Sequence, residues 1–595
     1  LGFSRAVAVD GGLSRVLNPA ILAAGFSMVP GEFVGAIAVP GLTAFGGGPA
    51  ADLQFSNSSK SFAWNSFQAY DDYAFSHGPH ALQFGGMLER MQSNVGINSD
   101  ANGSFAFGSL RDFLLNQPLT FDSDRAGPLG IFGIRETLLA TYLQDAVQVR
   151  PGLSLSAGLR YEYTTVPTEA HDRLANLQHL TDASARLGEP YFLNPTVDDF
   201  SPRLGLSWQA RANDLVESGF GIFDVLPLPY EFNIIVPDAY PYLQQFVVTT
   251  LPTGAFPTAA YALAASNPTL FRTTYIEHHP HRSYVMQWNL KLEHRLSTHG
   301  VLSLAYVGSR SVHLPLRSDD FNTVMPALTS AGYVYPPAAS SQRLNPNFGR
   351  ISGITWNADG YYNALQTSLT ASRPWLQLQL SYTWGQSLDT GTATVTADQY
   401  DNSLVNMPWF NTRLNRGPSD LNIAQNLVVS GNWSVPAGAG IVSRLLGGWQ
   451  LDQVFRASTG SPFTAELGGD PLGTKLSAVS EVPDVLAGPG CSSLVNPGNP
   501  NSYIRAQCFA FPDPAQRRGD LGRNRLTGPG LINLDMSAIK NVPAPWLETG
   551  SSVQFRAEFF NVFNRPDFAS PLNHLAVFDS TGAAVQGAGL ITSTV

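Results

Sequence analysis

Leu153-Ser154-Leu155-Ser156-Ala157-Gly158-Leu159-Arg160-Tyr161-Glu162-Tyr163 is the stretch that decides the fold. Leu153, Leu155, Ala157, Leu159, Tyr161 and Tyr163 fall on one face, and Ser154, Ser156, Gly158, Arg160 and Glu162 on the other. A period of two residues is that of a β-strand. At about 3.3 Å per residue the stretch crosses roughly 35 Å, whereas strands of soluble sheets average about 5 to 6 residues. A tilted strand needs about 9 to 11 residues to cross a bilayer. The pattern therefore predicts a membrane-spanning barrel with an apolar exterior and a polar interior.

Composition points the same way. Of 595 residues 44% are hydrophobic and only 13% charged, against about 25% charged in ordinary soluble domains. Mean hydropathy is nevertheless −0.04, because polar and apolar residues alternate instead of separating into runs. A helical span of about 20 apolar residues is missing; the nearest stretch, residues 19–39, is interrupted by Pro30, Glu32 and glycines. A net charge of −10 and the lack of a basic stripe argue against a nucleic-acid partner. No linker or charge run divides the chain, so residues 1–595 read as one partial barrel domain.

Seven hairpins can be read: 62–75 with 81–91, 136–149 with 153–164, 202–209 with 215–223, 283–295 with 301–308, 360–372 with 375–386, 421–435 with 447–458, and 530–540 with 553–564. Turn-prone residues join most of them, as at His77-Gly78-Pro79, Arg150-Pro151-Gly152 and Thr298-His299-Gly300. Between hairpins lie long connections rich in Pro, Gly, Asn and Asp. Short turns at one end and long loops at the other is the outer-membrane arrangement, with the short turns periplasmic and the loops extracellular. The fold class is thus all-β, a large antiparallel transmembrane barrel of which about 14 to 16 strands are present.

That orientation assigns faces. Leu155, Leu159, Tyr161, Tyr163, Trp288, Tyr306, Leu378, Tyr382, Trp384 and Phe555 are expected to face lipid, with the aromatic strand ends forming an outer girdle. Trp433 and Trp449 are expected at the inner interface, where an amphipathic ring is favoured. Arg160, Glu162, Gln287, Asn289, Lys291, Glu293, Arg295, Gln377, Gln379, Arg556 and Glu558 are expected to line the lumen. They serve either as a cross-strand ladder that solvates the wall or as contacts for a solute or an internal plug.

Catalytic patterns are scarce, and the chain reads as no enzyme. Glu277, His278, His279 and His281 surround Pro280 with no zinc spacing and read as a surface loop rather than a metal site. The acidic pairs Asp71/Asp72, Asp198/Asp199 and Asp319/Asp320 lack the spaced ligands of a calcium loop and read as solvated strand ends or loops. Neighbours on a strand also point to opposite faces, so such a pair cannot easily share a substrate. Gly46-Gly47-Gly48 and Gly468-Gly469 lack the residues of a phosphate cradle and read as loops. No cofactor or metal is expected. The two cysteines, Cys491 and Cys508, are expected to pair in an oxidising compartment, two free thiols being the alternative. A soluble propeller enzyme would show a repeat of about 40 to 50 residues, and the hairpin spacing here is irregular.

Eight segments, in order, resemble the Oar-like group of TonB-dependent outer-membrane receptors: "NSFQAYDDYAFSHGPHALQFGG" (65–86), "ATYLQDAVQVRPGLSLSAGLRYEY" (140–163), "FSPRLGLSW" (200–208), "YYNALQTSLTAS" with "LSYTWGQSLD" (361–389), "NRGPSDLNIAQNLVVSGNW" (415–433), "GGWQLDQVFRASTGSPF" (447–463), "GRNRLTGPGLINLDMSAIKN" (522–541) and "VQFRAEFFNVFNRPDF" (553–568). The resemblance implies a barrel of about 22 strands filled by an N-terminal plug, in the bacterial outer membrane. It also implies a solute, of a kind the sequence does not reveal, captured by loops such as 92–135, 224–281 and 464–529 and imported with energy from TonB. The chain starts at Leu1 without a signal peptide, plug or TonB box and stops at Val595, so the expectation is a fragment lacking those parts and the last strand. TonB would then be engaged only through the missing N-terminal region. An outer-membrane scaffold or adhesin without transport is the alternative.

Overall fold

The computed structural model describes residues 1–11, 27–32, 35–40, 42, 59–98, 100–125, 130–233, 235, 240–249, 251–337, 340–391, 408–436, 447–475, 481–544, 546, 548 and 550–595. Gly46-Gly47-Gly48 lie outside them, as does part of the stretch 19–39.

One 18-stranded sheet dominates the chain. Three of its members are short additions, at Thr168–Glu169, Thr273–Ile276 and Gly417–Pro418. The other fifteen form the wall: β1 (Gly2–Gly11), β2 (Ser59–His77), β3 (His80–Asn98), β4 (Ile131–Arg150), β5 (Leu153–Thr164), β6 (Phe200–Arg211), β7 (Asp214–Asp224), β8 (Tyr284–Ser297), β9 (Gly300–Ser318), β10 (Ile351–Arg373), β11 (Leu376–Asp389), β12 (Gln425–Ser434), β13 (Trp449–Ser458), β14 (Leu531–Pro543) and β15 (Ser552–Phe559). Each pairs antiparallel with the next in sequence, from β1·β2 to β14·β15. An up-and-down order follows from seven shorter connections, five of two residues and two of 14 and 8, alternating with long loops. Gly78 and Gly152 take φ of 57° and 80° in two of those turns, conformations that cost glycine little.

All seven hairpins are present, but many strands run further than their alternation. The reading 301–308 extends to Ser318, 360–372 begins at Ile351, and 81–91 reaches Asn98. Loop limits of 92 and 135 are therefore inside strands. Above the apolar band no solvent difference sorts the two faces, so the pattern lapses while ladder hydrogen bonds continue. β9 shows the change: its register slips between Ser311 and Leu314, where His313 has φ 53°. Three strands are shorter than read, β13 by the two residues before Trp449. β12 starts at Gln425 instead of 421, and β15 ends at Phe559 instead of 564, where Asn561 and Asn564 turn the chain at φ 47° and 46°. β1 has no counterpart in the sequence reading, because its partner β2 is reached through a long connection instead of a turn.

At the end opposite the short turns, the connections pack around their own apolar cores. Phe105, Phe121 and Phe246 are fully buried together with Met28, Val29 and Phe271. Phe463, Tyr503, Ile504 and Phe509 of the β13–β14 connection pack with Val577 and Ala588 from the residues after β15. A third cluster joins wall to loops: Phe132 and Ile134 of β4 and Ile354 and Trp356 of β10 meet Tyr191, Phe192 and Phe232. The loops form a roof with a packed interior.

Candidate binding interior under the loop roof

Cross-strand partners share a face, so register sorts the side chains. Arg160 stands opposite Tyr142 and Ser201. Lys291 faces Glu217 and Ala305, Gln379 faces Thr370 and Ser430, and Glu558 faces Ser537. Followed strand by strand, this puts Arg160, Glu162, Gln287, Asn289, Lys291, Glu293, Arg295, Gln377, Gln379, Arg556 and Glu558 on one side of the sheet. Leu155, Leu159, Tyr161, Tyr163, Trp288, Tyr306, Leu378, Tyr382, Trp384, Trp433, Trp449 and Phe555 share the other. The first face is the inner one, because loops cover it: Met91, Ser93 and Val95 of β3 and Glu136, Leu138 and Ala140 of β4 belong to it and are buried. The turn at Pro229–Phe232 lies against these strands, and Ser93 Oγ donates to Asn233 Oδ1 at 3.0 Å. On the outer face Leu143, Leu159, Leu204 and Phe84 are about half exposed.

The inner charges are largely matched to one another. Arg160 meets Glu162 at 2.9 Å, Lys291 lies 3.1 Å from both Glu217 and Glu293, and Arg556 lies 2.5 Å from Glu558. Tyr142 donates to Asp72 at 2.8 Å. Asp452 accepts from Asn432 at 2.6 Å, Gln450 at 3.1 Å and Ser537 at 3.2 Å. Such ladders keep a polar wall wet at little net cost.

The acidic pairs differ: Asp71/Asp72 lie within a strand, and each of the other two has one member that reads as solvated and is in fact buried, Asp199 and Asp320. Asp71 and Asp72 point to opposite faces of β2. Asp199 is buried at the rim, with Arg282 3.3 Å from it and 2.7 Å from Asp224, while Ser201 donates to Asp224 at 2.6 Å. Burial, and next the Asp224 charge, push the Asp199 carboxyl up to about 7 against the pull of Arg282. Asp320 is 1% exposed: it accepts the N–H of Asn322 at 2.7 Å and of Ile351 at 3.1 Å, and Arg343 at 2.7 Å. Asn322 in turn donates to the carbonyls of Asn345, Phe348 and Gly349. A loop that folds back on itself must satisfy its buried carbonyls somehow, and these residues do so.

A second buried knot joins segments far apart in sequence. Arg523 reaches Asp389 at the top of β11, Asp420 at 3.3 Å and the Asn415 carbonyl at 2.8 Å. Asn524 donates to Asp420 at 2.6 Å and to the Pro418 carbonyl at 2.8 Å, and its N–H donates to Thr464 at 2.9 Å. Asn415, Asp420, Thr464, Arg523 and Asn524 are all 5% exposed or less. Sequence reasoning missed this knot and Arg282. The signal was present, since Asp389, Asp420 and Arg523 lie in the quoted segments "LSYTWGQSLD", "PSDLN" and "GRNR".

Cys491 and Cys508 are joined in a disulfide with Cα atoms 5.5 Å apart. Glu277 accepts the Trp356 N–H at 2.7 Å, and His281 packs on His313 with ring centres 4.9 Å apart. Among the described residues no three His, Cys, Asp or Glu converge as metal ligands, and no helix is long and apolar enough to cross a membrane.

The outer membrane transporter YddB from Escherichia coli is similar at a TM-score of 0.46 and 11% identity, over 89% of this chain and 53% of that one. The ferripyoverdine receptor of Pseudomonas aeruginosa gives 0.40 at 10% identity, over 86% and 45%. BauA, the ferric preacinetobactin receptor from Acinetobacter baumannii, gives 0.37 at 12%, over 89% and 53%. The chain spans about half the length of these structures. No curated protein matches it. A family of outer membrane β-barrel domains matches residues 1–595 from end to end, and the chain belongs to that family.

Proposed function

We propose that this chain is the wall and roof of an outer-membrane receptor that captures a solute with its extracellular loops and passes it inward by TonB-dependent uptake. Bonds are neither made nor broken in this reading. Lipid bathes the Leu159 and Leu378 face, water the Arg160 and Gln377 face. The observation that carries it is the inequality of the two ends: short turns at one, and at the other long loops folded over a charged interior. A wall serving only as an anchor has no need of loops with buried cores. The resemblance to TonB-dependent receptors supports the coupling.

The test is uptake by cells expressing the complete reading frame, with and without TonB, over a panel of labelled metal chelates, oligosaccharides and peptides. TonB-dependent accumulation of one solute is expected. Equal accumulation without TonB, or adhesion to cells or matrix with no accumulation, would overturn import in favour of a passive pore or a scaffold.

A further inference from the structure

On the outer face, high on the wall, two arginines converge on one tyrosine. The Arg310 guanidinium lies 5.3 Å and that of Arg416 5.4 Å from the centre of the Tyr361 ring. Register fixes the side: Arg310 is opposite Tyr361, and Tyr361 opposite Leu388, in the same rows as Tyr306, Leu365 and Trp384. Both arginines are exposed, and neither has an acidic partner among the described residues. Elsewhere on this protein arginines such as Arg160, Arg282 and Arg523 are matched with carboxylates. Two cations drawn to one ring, with no carboxylate beside them among the described residues, are a positive site awaiting an anion.

What lies beneath them identifies the anion's carrier. Immediately below, Asn363 accepts from the Tyr306 hydroxyl at 2.6 Å and stands opposite Gln386. Below that come Leu365 at 40%, Tyr306 at 45% and Trp384 at 60% exposure. Tyr361 is about 30 Å above the β10–β11 turn for strands tilted by roughly 40°, and the apolar band of such barrels is about 25 Å tall. The arginines therefore sit just above the hydrocarbon, at headgroup depth.

We infer that Arg310, Arg416 and Tyr361 form a binding site for the phosphate headgroup of an anionic lipid in the outward leaflet, its chains lying on Tyr306, Leu365 and Trp384. Guanidinium forks match phosphate oxygens, and an amphiphile satisfies the polar and apolar tiers together. A free anion would use only the upper tier.

Native mass spectrometry of the full chain in neutral detergent, titrated with dioleoyl phosphatidic acid or dioleoyl phosphatidylcholine, tests the site. The unaltered protein should retain the acid over the neutral lipid by about thirtyfold, as two surface cations imply. R310Q/R416Q should lose that preference, the single changes should each lose part of it, and R186Q, in an exposed loop, should keep it. Heat-modifiable migration of each variant confirms a folded barrel. The inference fails if R310Q/R416Q keeps the preference or R186Q loses as much. It fails equally if millimolar inorganic phosphate displaces the lipid, which would make this a free-anion site.

Discussion

The wall and the roof of this protein are held together by opposite means. The wall takes its register from the backbone and from one-sided burial, so each side chain contributes little by itself and the pattern contributes nearly everything. The roof has only short ladders, the largest a four-stranded sheet of residues 36–38, 104–106, 120–124 and 245–248. Its long connections fold because a few buried polar side chains, Arg523, Asp320, Asn322 and Arg343, answer the hydrogen-bonding groups that loops bury. Single substitutions should therefore be felt locally and severely in the roof, and by face in the wall.

The largest effect is expected at the knot. Arg523→Ala leaves Asp420, 5% exposed, without its cation and should cost about 3 to 5 kcal/mol, the range for breaking a buried pair from one side. Limited proteolysis should then cleave the 459–530 connection while the barrel keeps its heat-modifiable migration. Loss of barrel assembly along with the roof would show that the two regions are not separable. Next in size is a pair of changes on β11. Leu378→Arg, on the outer face, should cost roughly 2 to 4 kcal/mol of unfolding free energy in lipid vesicles, and Gln377→Arg, on the inner face, under about 1 kcal/mol. Equal costs would remove the distinction between faces on which the wall rests.

Much of the wall was legible in the sequence and little of the roof. Every second residue of β5, β8 and β11 announces its side, and His77-Gly78-Pro79 and Arg150-Pro151-Gly152 mark where strands reverse. The upper parts of β9 and β10 were not legible, since beyond Arg310 and before Tyr361 most side chains on both faces are covered by protein and little sorts them by polarity. Asp199 and Asp320 read as solvated because sequence shows charge and not the partner: Arg282 and Arg343 lie 83 and 23 positions away. The knot was visible only as motifs, "PSDLN" and "GRNR", whose meeting depends on two loops folding toward each other.

The disulfide tests how far the roof depends on single links. Cys491 and Cys508 are 17 residues apart, and closing a loop of that size restricts the unfolded chain by about 3 kcal/mol in the entropy model. The C491S/C508S double change should cost about 2 to 3 kcal/mol, read as faster hydrogen exchange confined to residues 485–510. Unchanged exchange there would mean that Phe509 and Ile504, both buried in the loop core, fix the segment unaided.

Acid should separate roof from wall without any substitution, though by the smallest margin. Burial works against ionisation of Glu169, yet hydrogen bonds from Arg173 and from the N–H groups of Gly133, His171 and Arg173 outweigh it and hold the carboxyl down to about 2. A carboxyl depressed in the folded state stabilises that state above its unfolded value of 4.5, and the contribution disappears as protons bind between about pH 4.5 and 2. The drop from 4.5 to about 2 is worth about 3 kcal/mol at full strength, and solvent screening leaves roughly 2 kcal/mol of it. Hydrogen exchange at residues 165–175 should therefore quicken, beyond its intrinsic pH dependence, through that window. Glu169→Gln should remove the acid response and show the loosened state already at neutral pH. Exchange in the middle of β8 should not follow the same curve, because no hydrogen bond there waits on that carboxylate. A matching curve in β8 would mean that wall and roof open as one unit, and the contrast between them would fall.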